Sequence, residues 1–434
     1  MKRILRILAF ACCVAGASSC AMLPSGGDEA FLDRLERDTA MYFVDKVHPA
    51  SGLVTEDGMI SHIGSNGFAL NALCIAAERG WITRADAAER ALRILNTFSD
   101  VATTHAGAFL WISDAKSARD NVYNGSFDLV ETAYVSAGAL VCKQYFNRDV
   151  ETESRIRTRA DEIYRAVRFD EFRKNSKGEL TDTLAWGCDV NSLVFGDFRI
   201  TGYNECMVIY ILALGSPTYP VPESCWSGWA KPYSWRKRSG QEYLFCPALF
   251  THQYSQAWLD LRDVQDAYMR GKGITYFENS RRAALSHMEY ARANPRGFPG
   301  YGPIWGLTDC GCPLHESGFG EHGLPWAGGA APAADDGTIA ITAAGACMPF
   351  TPAESIAFLR HVKEKYGDKI YDEHGFRNAF NEKQGWFDKA HDALNQGAFL
   401  TMIENHRSGL IWKLFMANPE VQAGMKKAGF EAIR

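Results

Sequence analysis

Two carboxylates stand at the start of an otherwise apolar stretch near residue 130. Asp128 and Glu131 are three residues apart, a spacing that places both side chains on one face of a helix. Carboxylates at the mouth of a buried helix are costly unless they are paired, hydrogen-bonded or used in chemistry. Capping of the helix N-terminus is the alternative explanation. The pattern therefore predicts either a helix cap or a pair of acids available for proton transfer.

A third acid, Glu205, opens another strongly apolar stretch. It follows Tyr203 and Asn204 and precedes residues 206–214. Asn204 is a common capping residue, so a local structural role is again the alternative. Glycoside hydrolysis needs two carboxyl groups, one to protonate the leaving oxygen and one to act as base or nucleophile on the opposite face of the sugar. Acids at the starts of several apolar, buried helices would supply such a pair.

Other motifs carry side chains that could bind or stack on sugar hydroxyls and rings. The predicted substrate-binding residues are Tyr203, Asn204, His252, Tyr254, Trp305, Asp336, Asn395 and Arg407. Tyrosine and tryptophan suit stacking on sugars, although large core side chains are the alternative use of any one of them. The sequence has no Gly-rich phosphate loop, no G-x-S-x-G and no H-E-x-x-H, which argues against the rival chemistries of those motifs.

Helices are the elements that must position these residues, because helical periodicity dominates and strand patterns are scarce. The predicted helices are residues 31–44, 67–77, 84–98 after a Thr83 cap, 128–146, 151–167, 204–214, 252–260, 275–293, 352–366 after a Thr351 cap, 388–402 and 406–416. Helices that are apolar all round alternate with amphipathic ones, which favours a double ring. Residues 294–350 lack periodicity and are predicted to form a functional loop, with Trp305 and Trp326 in the cleft wall.

The first residues have the pattern of an export signal. A basic start and a short apolar run, too short to span a bilayer, end in Ala17-Ser18-Ser19-Cys20, which resembles a bacterial lipobox. Residues 1–19 are therefore predicted to be a lipoprotein-type signal peptide, residues 20–27 a tether, and residues 28–434 a single domain. We expect a lipid on Cys20 and an outer-membrane lipoprotein facing the periplasm, or a secreted protein if the lipobox is not used.

The net charge and the cysteine content limit which classes of partner and cofactor are expected. A net charge of −5 without a basic stripe argues against nucleic acid, so the expected partner is an oligo- or polysaccharide, bound by a monomer. No metal or organic cofactor is predicted. Nine cysteines follow the signal region with irregular spacing, which favours buried free thiols. Cys310 and Cys312, with His315 and His322 downstream, make a metal cluster the alternative.

The motifs occur in an order that resembles a known family. The resemblance is carried by residues 67–68, 78–81, 128–133, 202–218, 249–255, 336–340, 348–352, 375–377 and 403–409. In this order they resemble the glucoamylase-like bacterial proteins that include the β-1,2-glucanases of glycoside hydrolase family 144. The resemblance implies an all-α (α/α)6 toroid that hydrolyses β-1,2-linked glucans with inversion, in endo fashion or by exo release of sophorose. The family acids fall on Asp128, Glu131 and Glu205, with Glu205 as general acid and the other two binding hydroxyls or orienting it.

One position departs from the family pattern. Relatives commonly carry Asp-Gln-Gly-Pro where this chain has Asn395-Gln396-Gly397-Ala398, and an asparagine cannot accept a proton at neutral pH. The substitutes for the base are Asp392, Asp335 and Asp336. The alternatives are a same-fold hydrolase of another glycan, a carbohydrate-binding lipoprotein with degenerate catalysis, and a polysaccharide lyase, which the mildly acidic charge disfavours.

Overall fold

The computed structural model describes residues 26–123, 125–314, 319–325 and 335–433. The predicted signal peptide, Cys20, His315 and Trp326 lie outside the described residues, and so does most of the predicted tether. The described part is mainly helical, as predicted, and none of its helices is long and apolar enough to cross a membrane.

The described residues form fifteen α-helices. They are α1 (Gly26–Asp45), α2 (Ser65–Glu78), α3 (Arg84–Asn96), α4 (Leu129–Tyr145), α5 (Glu151–Ala166), α6 (Met207–Gly215), α7 (Ser224–Ala230), α8 (Tyr254–Trp258), α9 (Ala267–Lys272), α10 (Tyr276–Ala293), α11 (Ile341–Ala346), α12 (Pro352–Tyr366), α13 (Ala393–Arg407), α14 (Leu410–Met416) and α15 (Pro419–Lys427). Shorter helical turns occur at Thr97–Val101, Glu171–Arg173, Leu249–His252 and Gly367–Lys369.

Helix α12 has the bounds that the sequence predicts, and α3 begins after Thr83, whose hydroxyl oxygen accepts the Asp86 N–H at 3.1 Å. Thr351 occupies the predicted N-cap position of α12, but its side chain makes no capping hydrogen bond, because its hydroxyl donates to the Cys347 carbonyl of the preceding turn. The predicted helices 388–402 and 406–416 are displaced: α13 continues to Arg407, and the break falls at Gly409, which has φ 70°. Glycine adopts this left-handed conformation without a steric penalty, so the chain turns there.

Short antiparallel strands, absent from the prediction, connect the helices in the described residues. They are β1 (Ile60–His62), β2 (Thr104–His105), β3 (Ala108–Leu110), β4 (Ile112–Asp114), β5 (Ser126–Asp128), β6 (Leu184–Ala185), β7 (Gly187–Asp189), β8 (Arg199–Ile200), β9 (Trp235–Arg238), β10 (Gln241–Leu244), β11 (Val264–Gln265), β12 (Cys310–Gly311), β13 (Phe319–Gly320), β14 (Thr338–Ala340), β15 (Tyr371–Asp372), β16 (Gly375–Phe376), β17 (Ala379–Asn381), β18 (Trp386–Phe387) and β19 (Glu431–Ala432). Segments of two to four residues are too short to produce a recognisable alternating pattern. The largest sheet has the strand order β2-β3-β5-β7, and its strand β5 is followed directly by α4.

The apolar helices α2, α4 and α6 are buried along nearly their whole length, whereas α3 and α5 keep an exposed face. Helices α2 and α4 approach closely because Gly67 and Gly138 face each other's backbone. A Cβ on Gly67 would lie 2.0 Å from the Tyr134 carbonyl oxygen, and one on Gly138 would lie 2.2 Å from the Gly67 carbonyl oxygen. Helix α4 also contacts α6, α6 contacts α8, α8 contacts α13, and α13 contacts both α11 and α2. This packing gathers the N-terminal ends of α4 and α13 and the turn before α6 at one cavity.

Candidate active site

A cavity of about 650 Å³ lies at this end of the helices. Six acids line it: Glu56, Asp57, Glu131, Glu205, Asp309 and Asp392. Its aromatic lining residues are Tyr42, Trp111, Tyr134, Trp186, Phe250, Tyr254 and Phe319. Carboxylates among aromatic rings provide hydrogen-bond acceptors for hydroxyls and flat apolar faces for sugar rings.

Asp128 is a helix cap, as the alternative explanation proposed. It ends β5, and its Oδ1 accepts the backbone N–H groups of Val130 at 2.8 Å and Glu131 at 3.0 Å. The Trp186 side chain also donates to this carboxyl group. Burial raises the pKa of Asp128 above its usual range, although these three donors oppose the shift. Asp128 is therefore not among the residues that line the cavity, whereas Glu131 is.

Glu131 projects from the first turn of α4 into the cavity wall. Its Oε2 accepts the backbone N–H of Gly64, which precedes α2. Burial raises the pKa of Glu131 well above the usual value, and repulsion from Asp128 raises it further. A Cβ on Gly64 would lie 2.7 Å from Glu131 Oε2, so the contact requires a glycine. Glu131 is thus held in one position by backbone geometry.

Glu205 lies in the turn that precedes α6, and Ser255 on α8 fixes that turn. The Ser255 hydroxyl donates to the Glu205 carbonyl oxygen and accepts the Val208 N–H at 3.0 Å. The Glu205 residue is only 8 % exposed. Burial raises its pKa to about 7, and repulsion from Asp128 adds to the shift. A large fraction of Glu205 is therefore protonated near neutral pH, which suits a proton donor.

Asn395 takes part in a hydrogen-bonded chain that ends on a carboxylate. The Tyr254 hydroxyl donates to Asn395 Oδ1 at 2.8 Å, and Asn395 Nδ2 donates to Asp392 Oδ2 at 2.9 Å. Asn378 Nδ2 also donates to Asp392 Oδ2, at 3.2 Å. Asp392 has φ 60°, and a non-glycine residue held in this region often marks a functional site. Asn395 is therefore a donor that orients Asp392.

Most of the cavity-lining residues were missed by the sequence analysis, and two of them, Asp309 and Tyr134, carry groups that could take part in the chemistry. Burial raises the pKa of Asp309 to about 7, with repulsion from Glu321 and Glu205 contributing. The Tyr134 hydroxyl is buried and has no hydrogen-bond partner among the described residues. Tyr134 follows Glu131 by three residues on α4, so helical spacing could have identified it. Asp309 lies in an irregular segment, where no periodic signal exists.

Of the eight predicted substrate-binding residues, Tyr254 and Asn395 line this cavity and the other six lie outside it. Asn204 stabilises the turn before α6, because its Oδ1 accepts the Cys206 N–H at 3.1 Å. Tyr203 stacks on Tyr276, with ring centroids 5.9 Å apart. His252 contacts the Cys246 carbonyl at 3.2 Å, and burial lowers its pKa to about 4.

The remaining three of these residues also lie outside the cavity. Trp305 is a core residue that packs against Phe358 and does not form the predicted cleft wall. Arg407 pairs with Glu36 on α1, away from the cavity. Asp336 pairs with His322 at 3.3 Å. Polar and aromatic motifs served stability at these positions, because a core of this size must also satisfy its own buried polar groups.

A family model described as "Putative glucoamylase" matches residues 197–419, which is more than half of the chain. The chain belongs to this glucoamylase-like family. The resemblance carried by the sequence motifs is thereby confirmed.

Relatives of this glucoamylase-like protein have been described as enzymes acting on β-1,2-glucans. An exo-β-1,2-glucooligosaccharide sophorohydrolase (non-reducing end) from Parabacteroides distasonis is 31 % identical over 92 % of this chain, which spans 58 % of that relative's length. The endo-β-1,2-glucanase of Chitinophaga pinensis, solved with sophorotriose and glucose, is 32 % identical, with a TM-score of 0.83 over 93 % of this chain and 99 % of that one. A Bacteroides uniformis structure with the same description as the family has 32 % identity and a TM-score of 0.85, over 94 % of this chain and 99 % of that one.

A cluster of three potential metal ligands in this glucoamylase-like protein lies outside the carboxylate cavity. Among the described residues, the thiol, imidazole and carboxylate donors that come close enough together to hold an ion belong to Cys312, His322 and Asp336. The nine cysteines after the signal region are free thiols, eight of them buried, in agreement with the preferred interpretation of their spacing.

Proposed function

We propose that this protein is an inverting glycoside hydrolase that cleaves β-1,2-linked glucans or gluco-oligosaccharides. The observation that carries the proposal is Glu205, a buried carboxyl group with a pKa of about 7, in a cavity that also holds the carboxylate of Asp392. The glycan class is inferred from the sophorohydrolase and the endo-β-1,2-glucanase to which the chain is similar.

Glu205 is the proposed general acid. Its protonated carboxyl group would transfer a proton to the leaving glycosidic oxygen, directly or through a substrate hydroxyl, as the bond to the anomeric carbon breaks. Glu131 and the Tyr134 hydroxyl lie on the same wall and would bind hydroxyls of the glucose unit being cleaved. The fixed Glu131–Gly64 contact would make this binding geometry selective.

Asp392 is the proposed general base. It would accept a proton from a water molecule whose oxygen bonds to the anomeric carbon on the face opposite the leaving group, which inverts the configuration. The Asn395 amide keeps the Asp392 carboxylate oriented. The base would thus stand three residues, or about one helical turn, before the aspartate that the resemblance implies.

We also propose that six helices form the inner ring of an (α/α)6 toroid. Helices α2, α4, α6, α8, α11 and α13 contact each other in a closed series, with the turn Leu249–His252 joining α8 to α11. Five of them, α2, α4, α6, α8 and α11, are almost completely buried, as inner helices must be. We propose that residues 28–434 form this single domain and act as a monomer, anchored at Cys20 to the periplasmic side of the outer membrane.

Incubation with linear β-1,2-glucan tests the function. We expect cleavage to β-1,2 oligomers whose new reducing ends are initially α-anomers by NMR, because inversion at a β-linkage gives α. Sophorose as the sole early product would indicate exo action, and a ladder of oligomers would indicate endo action. Absence of cleavage, or initial release of the β-anomer, would refute the proposal. Hydrolysis of a different glycan in a parallel panel would support the second candidate, a changed specificity that Asn395 motivates.

Replacing Gly64 with alanine is expected to lower kcat/KM by roughly 10²-fold, because small displacements of a positioned group have effects of this size. The new methyl group would meet Glu131 Oε2 at 2.7 Å and Tyr134 Cδ2 at 3.0 Å. Gly271→Ala is the matched control, since a Cβ there meets nothing within 4 Å. Kinetics on β-1,2-gluco-oligosaccharides measure the effect, and equal activity of the two variants would show that Glu131 need not be held so closely.

A further inference from the structure

Three different metal-binding side chains converge at the edge of the segment that was predicted as a loop. Cys312 Sγ lies 3.1 Å from Asp336 Oδ2, and His322 Nε2 lies 3.3 Å from Asp336 Oδ1. All three donor atoms are within 4.8 Å of one another. Ligand atoms that share one tetrahedral ion with bonds of about 2.0–2.3 Å are separated by about 3–4 Å. The two separations that involve Asp336 fall in this range, so the cluster is close to the dimensions of a metal site.

The fold brings these residues together from three separate segments. Cys312 follows β12, and His322 follows β13, the strand paired with β12. Asp336 precedes β14, and its Oδ1 accepts the Thr338 N–H at 2.8 Å, which fixes the carboxylate. Gly320 on β13 leaves the space for the site, because a Cβ there would lie 2.4 Å from His322 Cε1 and 3.0 Å from Cys312 Cβ.

A second thiol lies behind the histidine. Cys310 Sγ is 3.6 Å from His322 Nδ1, the ring nitrogen that faces away from Asp336. Metal-bound histidines almost always donate their other ring N–H to an acceptor, which fixes the tautomer and orients the ring. Cys310 is placed to be that acceptor, leaving Nε2 available to an ion.

We propose that Cys312, His322 and Asp336 bind a zinc ion. A thiolate, an imidazole and a carboxylate are the donor types that zinc accepts together, whereas magnesium and calcium prefer oxygen ligands only. Water would complete the tetrahedron. The ion would tie the β12–β13 hairpin to the start of β14, and Phe319 on that hairpin lines the carboxylate cavity. The three ligands are not among the residues that line the carboxylate cavity, so zinc binding would be independent of the proposed glycoside chemistry.

Zinc titration of the purified, thiol-reduced and metal-free protein tests this site. We expect the full-length chain to retain a single zinc ion through dialysis, measured by elemental analysis, and to melt at a higher temperature with zinc than with a chelator. Cobalt in place of zinc should give a thiolate-to-cobalt charge-transfer band. Cys312→Ser and His322→Gln should lose the retained ion, the cobalt band and the zinc-dependent rise in melting temperature.

Two further variants make the assignment specific. Cys225→Ser removes a buried thiol on α7 and should retain the ion unchanged. Cys310→Ala should still bind one ion, but with affinity lowered by about 10–100-fold, as is typical when a group orienting a ligand is removed. No retained zinc in the unaltered chain would overturn the proposal. So would equal zinc retention in Cys312→Ser and His322→Gln, with folding of each variant checked by circular dichroism in zinc-free buffer.

Discussion

Glu205→Gln is expected to lower kcat on β-1,2-gluco-oligosaccharides by about 10²–10⁴-fold, the usual contribution of a general acid. Glutamine keeps the shape of the side chain but has no acidic proton to give to the leaving oxygen. KM should change little, because Glu131 and Tyr134 would still bind the sugar. Glu153→Gln is the matched control, since Glu153 is a buried glutamate that pairs with Arg84. Full activity of Glu205→Gln would remove Glu205 from the acid role.

The pH dependence follows from the same residue. The pKa of Glu205 is about 7, so the protonated form that donates decreases as the pH rises through 7. In the unaltered protein we therefore expect kcat/KM to fall on the alkaline side of an inflection near this value. The residual activity of Glu205→Gln should lack that inflection. An unchanged alkaline limb would assign it to another group, for which Asp309 is the first candidate, with a pKa also of about 7.

Stability provides a second, independent readout of the Glu205 environment. Its pKa is 4.5 when unperturbed and about 7 in the fold. Between these values the folded state keeps a proton that the unfolded chain releases, so the free energy of unfolding decreases as pH rises. Above pH 7 the full cost is about 3 kcal/mol, because each pKa unit corresponds to about 1.4 kcal/mol. Glu205→Gln should therefore melt higher than the unaltered protein in alkaline buffer, with a smaller difference at acidic pH.

Asp392→Asn is expected to abolish most turnover, again by about 10²–10⁴-fold in kcat, if Asp392 activates the water. The amide would keep the N-terminal position of α13 but could not accept the proton. Added azide should restore part of the rate and yield a glycosyl azide, because this small anion attacks without a base. Asp309→Asn is the comparison that separates the two acids: a larger loss and azide rescue in that variant would make Asp309 the base.

Asn395→Asp tests how Asp392 is supported. Asn395 Nδ2 now donates to the Asp392 carboxylate at 2.9 Å, and an aspartate would replace this donor by a second negative charge. Repulsion between neighbouring carboxylates raises the pKa of one of them. We expect the acidic limb of the pH profile to move to higher pH in this variant, with the product anomer unchanged. An unmoved acidic limb would show that Asp392 does not determine it.

Local sequence patterns were sufficient for the features that depend on neighbouring residues. The helical character of the chain, the α12 bounds and the Thr83 cap follow from periodicity and from capping preferences. The proximity of Asp128 and Glu131 is also predictable from local sequence, because three-residue spacing at a helix start places both side chains together. The predicted boundary between α13 and α14 lies a few residues before the observed break at Gly409. Several polar residues near the end of α13 are equally good signals for helix termination.

Contacts between distant segments could not be read from such patterns. The Gly64–Glu131 hydrogen bond spans 67 residues, and the Tyr254–Asn395 bond spans 141. Packing between such distant segments also brings Tyr134 and Asp309 to the same cavity. Likewise, only packing shows that Trp305 and Arg407 are used for the core and for an ion pair.

The sequence by itself determined the family, the helical character and the acids that begin the apolar helices. Tertiary structure decided which of those acids share one cavity, how far burial shifts their pKa values, and which polar residues instead stabilise the fold. The reason is physical: helix formation and capping depend on residues within a few positions, whereas desolvation and charge repulsion depend on whichever segments the packing brings near.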